Sequence, residues 1–245
     1  MATRLVHLVV DAVQPGQLAQ FWAAALGWEV AAEEDGESDV WPAGYRYPDP
    51  VALPLVFAPV PEPKTAKNRV HLDLATESHE HHAAQVRRLL ELGAVPIDIG
   101  QGDVPWRVLA DPEGNEFCVL EPRAVYRDTG PVAAVVVDCA EPAAVAGFWR
   151  LATGWTPASS TTHGMSFRSP EGVGPYLELL PTAEPKVVKN RIHLDVAPYP
   201  DEELSTAVAV LLNQGALPED VGQGNVPWSV LADPQGNEFC VLSPR

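Results

Sequence analysis

The side chains best equipped for chemistry come in two matching runs. Arg69-Val70-His71-Leu72-Asp73 and Arg191-Ile192-His193-Leu194-Asp195 each alternate a charged or titratable residue with an aliphatic one. On an extended segment, residues two apart share a face, so each run offers an imidazole and a carboxylate together, able to hold a proton, a cation or a polar ligand. The run from Val6 to Asp11 alternates in the same way, with Val6, Leu8 and Val10 on one side and His7, Val9 and Asp11 on the other. Near the end of each half, Glu116, Cys118 and Leu120, and again Glu238, Cys240 and Leu242, fall opposite an apolar set. Trp106 and Trp228 share a side with Val108 and Val230, and on a concave surface they would supply an aromatic wall for a planar ligand.

These residues need elements to position them, and the elements repeat. Gly100 to Arg123 and Gly222 to Arg245 differ at four positions, offset by 122 residues. Lys67 to Asp73 matches Lys189 to Asp195, and Phe21-Trp22 through Gly27-Trp28 matches Phe148-Trp149 through Gly154-Trp155 at an offset of 127. Copy one therefore carries five extra residues, placed most simply in the acidic loop from Glu33 to Asp39. Such self-similarity predicts two homologous domains, residues 1–123 and 130–245, joined near Ala124 to Pro131. Within each copy a strand precedes a helix with Leu18, Phe21, Trp22 and Ala25 at helical spacing and Gly27 as its stop, and short strands follow. The order then restarts at Arg69, with a second helix through Val86, Leu89 and Leu90. Each domain thus reads as β-α-β-β-β taken twice. A curved sheet covered by helices on its convex side would gather the polar faces into a cleft suited to a small ligand. The plainer alternative is a structural ion-pair ladder of Arg69, His71 and Asp73 that holds modules together.

Composition narrows the partners. The 245 residues carry 16 Lys+Arg against 33 Asp+Glu, and a net charge of −17 argues against a nucleic-acid surface or an anionic membrane. No apolar run approaches the roughly 20 residues needed to span a bilayer, so a cytoplasmic protein is expected. Three cysteines, Cys118, Cys139 and Cys240, cannot all pair within one chain, which points to free thiols. All four lysines, Lys64, Lys67, Lys186 and Lys189, sit in the repeated EPKxxKN segments. They form either an anion-attracting lip or hairpins that pair with acids across a domain interface. His79, His81 and His82 read as a solvated helix end with adventitious metal affinity, since the second copy has no counterpart.

Three segments carry a family resemblance: Phe21 to Trp28 and Phe148 to Trp155, Glu62 to Asp73 and Glu184 to Asp195, and Asp111 to Leu120 and Asp233 to Leu242. Together they resemble the vicinal oxygen chelate superfamily of glyoxalases, bleomycin-resistance proteins and extradiol dioxygenases, over nearly the whole chain. The resemblance implies an α+β fold of two tandem glyoxalase-like domains, each of two βαβββ modules forming a cupped mixed β-sheet with helices on the convex face. It also implies a chain that mimics the dimer of single-domain relatives, as a monomer or a homodimer. Metal-binding members take ligands from four strands: His or Gln, Glu, His and Glu. His7 and His71 match the first and third positions, whereas Cys118 replaces the last acid and the fourth strand, Leu53 to Val60, offers none. In copy two the positions hold Ala134, His193 and Cys240, with Glu178 on the fourth strand.

The expectation is therefore a protein that binds or sequesters a small organic molecule without the full metal set and without a cofactor. One pocket would use His7, Arg69, His71, Asp73, Trp106 and Cys118, and the other Arg191, His193, Asp195, Trp228 and Cys240. Two alternatives stand beside it: a lyase or isomerase of the glyoxalase type with a divalent metal at His7 and His71, and a structural protein without a ligand.

Overall fold

The computed structural model describes residues 3–34, 36–161 and 164–245. The first module consists of β1 (Arg4–Ala12), α1 (Pro15–Leu26), β2 (Glu29–Glu34), β3 (Glu37–Trp41) and β4 (Leu55–Pro59). The second has β5 (Val70–Leu74), α2 (His79–Glu91), β6 (Val95–Pro96), β7 (Arg107–Ala110) and β8 (Glu116–Val119). A short 3-10 turn, Ala124–Tyr126, leads to the third: β9 (Val132–Cys139), α3 (Pro142–Thr153), β10 (Thr156–Thr161), β11 (Gly164–Arg168) and β12 (Tyr176–Pro181). The fourth has β13 (Ile192–Ala197), α4 (Leu204–Asn213), β14 (Leu217–Pro218), β15 (Ser229–Ala232) and β16 (Glu238–Val241). Among the described residues no helix is long and apolar enough to cross a membrane.

Local sequence sets the helix bounds. Pro15 and Pro142 open α1 and α3, where a missing N–H costs nothing. Gly27 and Gly154 close them in the left-handed conformation, at φ of 68° and 72°, which a side chain would oppose. The caps come from far away in the chain. Neither helix has a capping side chain of its own. Instead the Glu113 carboxylate accepts from the N–H groups of Val13 and Gln14, at 2.9 and 2.7 Å, and Gln235 Oε1 accepts from Ala140 and Glu141. Beside these caps Trp22 Nε1 donates to buried Asp111 and Trp149 Nε1 to buried Asp233, at 3.1 and 3.0 Å. The repeated Asp-Pro-x-Gly-Asn turns are thus clamps between a module's closing turn and the helix of the module before it.

The strands form two eight-stranded mixed sheets and so bear out the expected α+β class, but the modules are partnered differently from the expectation. One sheet runs β14-β15-β16-β13-β1-β4-β3-β2 and the other β10-β11-β12-β9-β5-β8-β7-β6. Module one thus pairs with module four, through antiparallel β1 and β13, and module two with module three, through antiparallel β5 and β9. Each sheet takes one module from each repeat. Apolar residues on the helix-covered faces merge into one core containing Leu8, Val10, Phe57, Trp22, Leu72, Phe117, Trp149 and Phe239. Smaller apolar clusters line the opposite, concave faces.

Two local readings are corrected. Val6 was assigned to the helix side, but a register shift between Leu5 and His7 turns it into the concave cluster with Val230 and Cys240. The five extra residues of copy one do not lie in the acidic loop, of which Asp35 falls outside the described residues. Glu29 pairs with Trp41 as Thr156 pairs with Arg168, so the β2–β3 and β10–β11 hairpins match in length. The difference lies beyond them, in residues 42–54 against residues 169–176, before the matched Leu55 and Leu177.

Candidate functional site

Strand register builds two cups. In the first, β1 and β13 place His7 opposite Asp195 and Val9 opposite His193, while β4 sets Val56 beside Val9 and β16 sets Cys240 beside Asp195. In the second, β9 and β5 place Ala134 opposite Asp73 and Val136 opposite His71, β12 sets Glu178 beside Val136, and β8 sets Cys118 beside Asp73. The first cup encloses about 480 Å³ between His7, His193, Asp195, Trp228, Cys240 and Arg245. The second encloses about 540 Å³ between His71, Asp73, Trp106, Cys118, Arg123 and Glu178. The histidines face these hollows, not the helix-covered core.

The predicted set is therefore regrouped. His71, Asp73, Trp106 and Cys118 come together as expected, and so do His193, Asp195, Trp228 and Cys240. His7 does not join His71: it belongs to the other cup, where its Nε2 lies 2.9 Å from Asp195 Oδ2. A divalent ion shared by His7 and His71 is excluded by this separation into different sheets. Arg69 and Arg191 line neither cup. Each precedes its strand, and their guanidinium groups donate to Glu184 and Asp138 carbonyls and to the Glu62 carbonyl and Glu113 carboxylate respectively. Of the two readings of the lysines, the structure gives the paired one. Lys67 meets Asp138 at 2.7 Å, Lys189 meets Asp11, and Lys64 and Lys186 meet Glu116 and Glu238 at 2.6 Å. Glu116 and Glu238 are thereby drawn away from the cups. The polar ladder thus exists, but it is made of Arg69, Arg191 and the lysines, and the His–Asp pairs are not part of it.

Some lining residues escaped the sequence reading. The Tyr126 hydroxyl donates to Glu178 at 2.8 Å, and the Arg123 guanidinium lies 5.5 Å from the Trp106 ring centre. Both belong to the segment read as a mere join. Only the matching Arg123 and Arg245 of the repeat signalled that this segment closes a cup, and Arg245 lines the other one.

The electrostatics differ between the cups. Burial acts to lower the His71 imidazole, but Asp73 and Asp138 outweigh it, and the net shift is upward. For His193 burial prevails over Asp195 and Asp11, helped by Lys189 and His7, and the net shift is downward. Burial pushes the Cys118 and Cys240 thiols far up, and the neighbouring Asp73 and Asp195 add to it. Both sulfurs are neutral thiols in the metal-free protein, so the 3.6 Å approach of Cys240 Sγ to His193 Nε2 is not a thiolate–imidazolium nucleophile. Burial also raises Glu178.

The four metal-ligand positions implied by the resemblance can now be assigned to each cup. The first cup presents His7, Val56, His193 and Cys240, and the second Ala134, Glu178, His71 and Cys118. One lacks the fourth-strand carboxylate, the other lacks the first-strand imidazole, and a thiol replaces the final acid in both. Neither cup fits the hard-ligand set for an octahedral ion.

A family model described as a glyoxalase-like domain matches this chain twice, over residues 7–120 and 134–242. Comparison with curated proteins gives no match. Among solved structures, glyoxalase I from Zea mays superposes with a TM-score of 0.62 at 13% identity, covering 98% of this chain and 92% of that one. A putative dioxygenase from Bacillus subtilis gives 0.59 at 12% identity, covering 98% and 84%. At such identities the likeness extends to the fold alone.

Proposed function

From the premise that the chain belongs to the glyoxalase-like domain family, we propose that it binds small organic molecules in two cups, each holding a planar apolar part against tryptophan and a polar part at the His–Asp floor. The observation that carries this reading is the coincidence, in both sheets, of a hollow of several hundred Å³ with one aromatic wall and a buried titratable pair. The repeats, residues 1–123 and 130–245, are then units of sequence, and the binding units are the cross-paired sheets of one chain. The cups are not copies. The first has the His7–Asp195 contact and Val56, and the second has Glu178 held by Tyr126, so they select different polar groups. A glyoxalase-type lyase or isomerase working through the four-ligand ion is disfavoured by Val56 and Ala134, which cannot ligate.

A thermal-shift screen of planar aromatic acids, amides and amines tests the proposal. A ligand at roughly 100 times its Kd adds about 2.7 kcal/mol, or about 5–10 °C for a chain of this size. Trp106→Ala and Trp228→Ala are expected each to abolish the shift from one class of hit and leave the other. A broad screen without a shift, or hits indifferent to both substitutions, would favour a structural protein.

A further inference from the structure

We infer that the floor of each cup is a site for a thiophilic divalent cation of the zinc class, held by His193, Asp195 and Cys240 in one sheet and by His71, Asp73 and Cys118 in the other. In both groups one donor atom from each residue lies within 4.8 Å of the others. The finer spacing has a specific meaning. Zinc bonds of roughly 2.0–2.1 Å to nitrogen and oxygen and about 2.3 Å to sulfur, opened to the tetrahedral angle, separate the donors by about 3.3 Å for N···O and about 3.6 Å for N···S. His193 Nε2 lies 3.4 Å from Asp195 Oδ1 and 3.6 Å from Cys240 Sγ. His71 Nε2 lies 3.4 Å from Asp73 Oδ1. The donors already stand at the edges of a tetrahedron around a common centre.

A second observation points to a missing partner. Asp73 and Asp195 are only 8% and 4% exposed, and the Oδ1 atom of each is buried without a hydrogen-bond partner. Buried carboxylate oxygens are seldom left so, and here the same atom is left so in both repeats. The charge also balances: a carboxylate and a thiolate neutralise a divalent ion, with a neutral imidazole as third donor. Binding breaks the cysteine S–H bond heterolytically, forms a sulfur–metal bond and releases the proton to solvent. Three protein donors leave a fourth position for water or for the occupant of the cup.

This donor set is not the four-strand set implied by the resemblance. All three donors come from one module, from neighbouring parallel strands, and the aspartate two residues beyond the histidine takes part. The module across the sheet contributes support only: His7 holds the other oxygen of Asp195 at 2.9 Å, and Ala134 stands at that place in the second cup. The site at His193 should therefore bind more tightly, because removing an outer contact of this kind costs about 10–100-fold in metal affinity.

The experiment is a cobalt titration of the full chain, without a histidine tag, stripped by a chelator and kept reduced, read by thiolate-to-cobalt charge-transfer absorption. Expected are a signal saturating at about two ions per chain, displacement by zinc, halving in Cys118→Ser or Cys240→Ser, loss in the double variant, and no change in Cys139→Ser. His7→Ala should weaken one of the two sites about 10–100-fold. Should a cysteine variant fold poorly, Asp73→Asn and Asp195→Asn, which keep both thiols, must lower the affinity instead. Absence of the charge-transfer band at excess cobalt overturns the inference. So does binding lost on changing His79, His81 and His82 but not the cysteines, which would mean an adventitious surface ion only. The ligand screen, run on metal-stripped protein, succeeds or fails independently.

Discussion

His71 and His193 occupy matching places on β5 and β13, yet their surroundings drive them apart. Asp73 and Asp138 lift the first above its ordinary value near 6.5, and burial depresses the second. The linkage signs are opposite. The stabilisation from His71 is fully present below the ordinary histidine value and fades as the pH rises through its folded value. His193 favours the native state above the ordinary value, and that contribution is lost as the pH falls toward its folded value. In metal-free protein, NMR titration of the imidazoles should give one midpoint above 6.5 and one below, and coincident midpoints would refute this assignment. Which face these histidines occupy was legible in the sequence, because alternation is a property of a single strand. The sign of each shift was not, since Asp138, Asp11 and Lys189 arrive from other strands or from loops distant in the chain.

The helices α1 and α3 start on borrowed caps, and this makes a prediction about elements. Gln235→Ala removes the acceptor for Ala140 and Glu141 and should cost about 1 kcal/mol, or about 2–4 °C in melting temperature. Glu113→Ala should cost more, because it also leaves the buried Arg191 without its carboxylate at 3.1 Å. Scanning calorimetry of the two variants checks both the size and the order, and a larger loss for Gln235→Ala would contradict the account. The repeat displayed the Asp-Pro-x-Gly-Asn turns plainly, but nothing in their spacing tells that residue 113 satisfies the N–H groups of residues 13 and 14. The same is true of Val6. A bulge is set by the partner strand, and the apolar pattern of β1 alone assigns Val6 to the wrong side.

At the scale of the whole molecule, the joins between modules decide what counts as a unit. Repetition showed four modules, but β5 and β13 are so alike that β1 could pair with either, and local pattern cannot choose between them. Arg69, Arg191 and the four lysines, whose partners lie in other strands and turns, stand at this junction, which explains why they were read as pocket residues or as an open question. Cutting the exposed linker at Arg127 or Asp128 should therefore leave one species of unchanged size, because β1 stays paired with β13 and β5 with β9. Light scattering after site-specific proteolysis checks this, and fragments that separate without denaturant would rule out the cross-pairing. The crossed arrangement also constrains descent. Exchange of either repeat with another gene would remodel both binding hollows together, so neither can be inherited as a ready-made cassette. Divergence between them is left to point changes at unmatched places such as His7 against Ala134 and Val56 against Glu178.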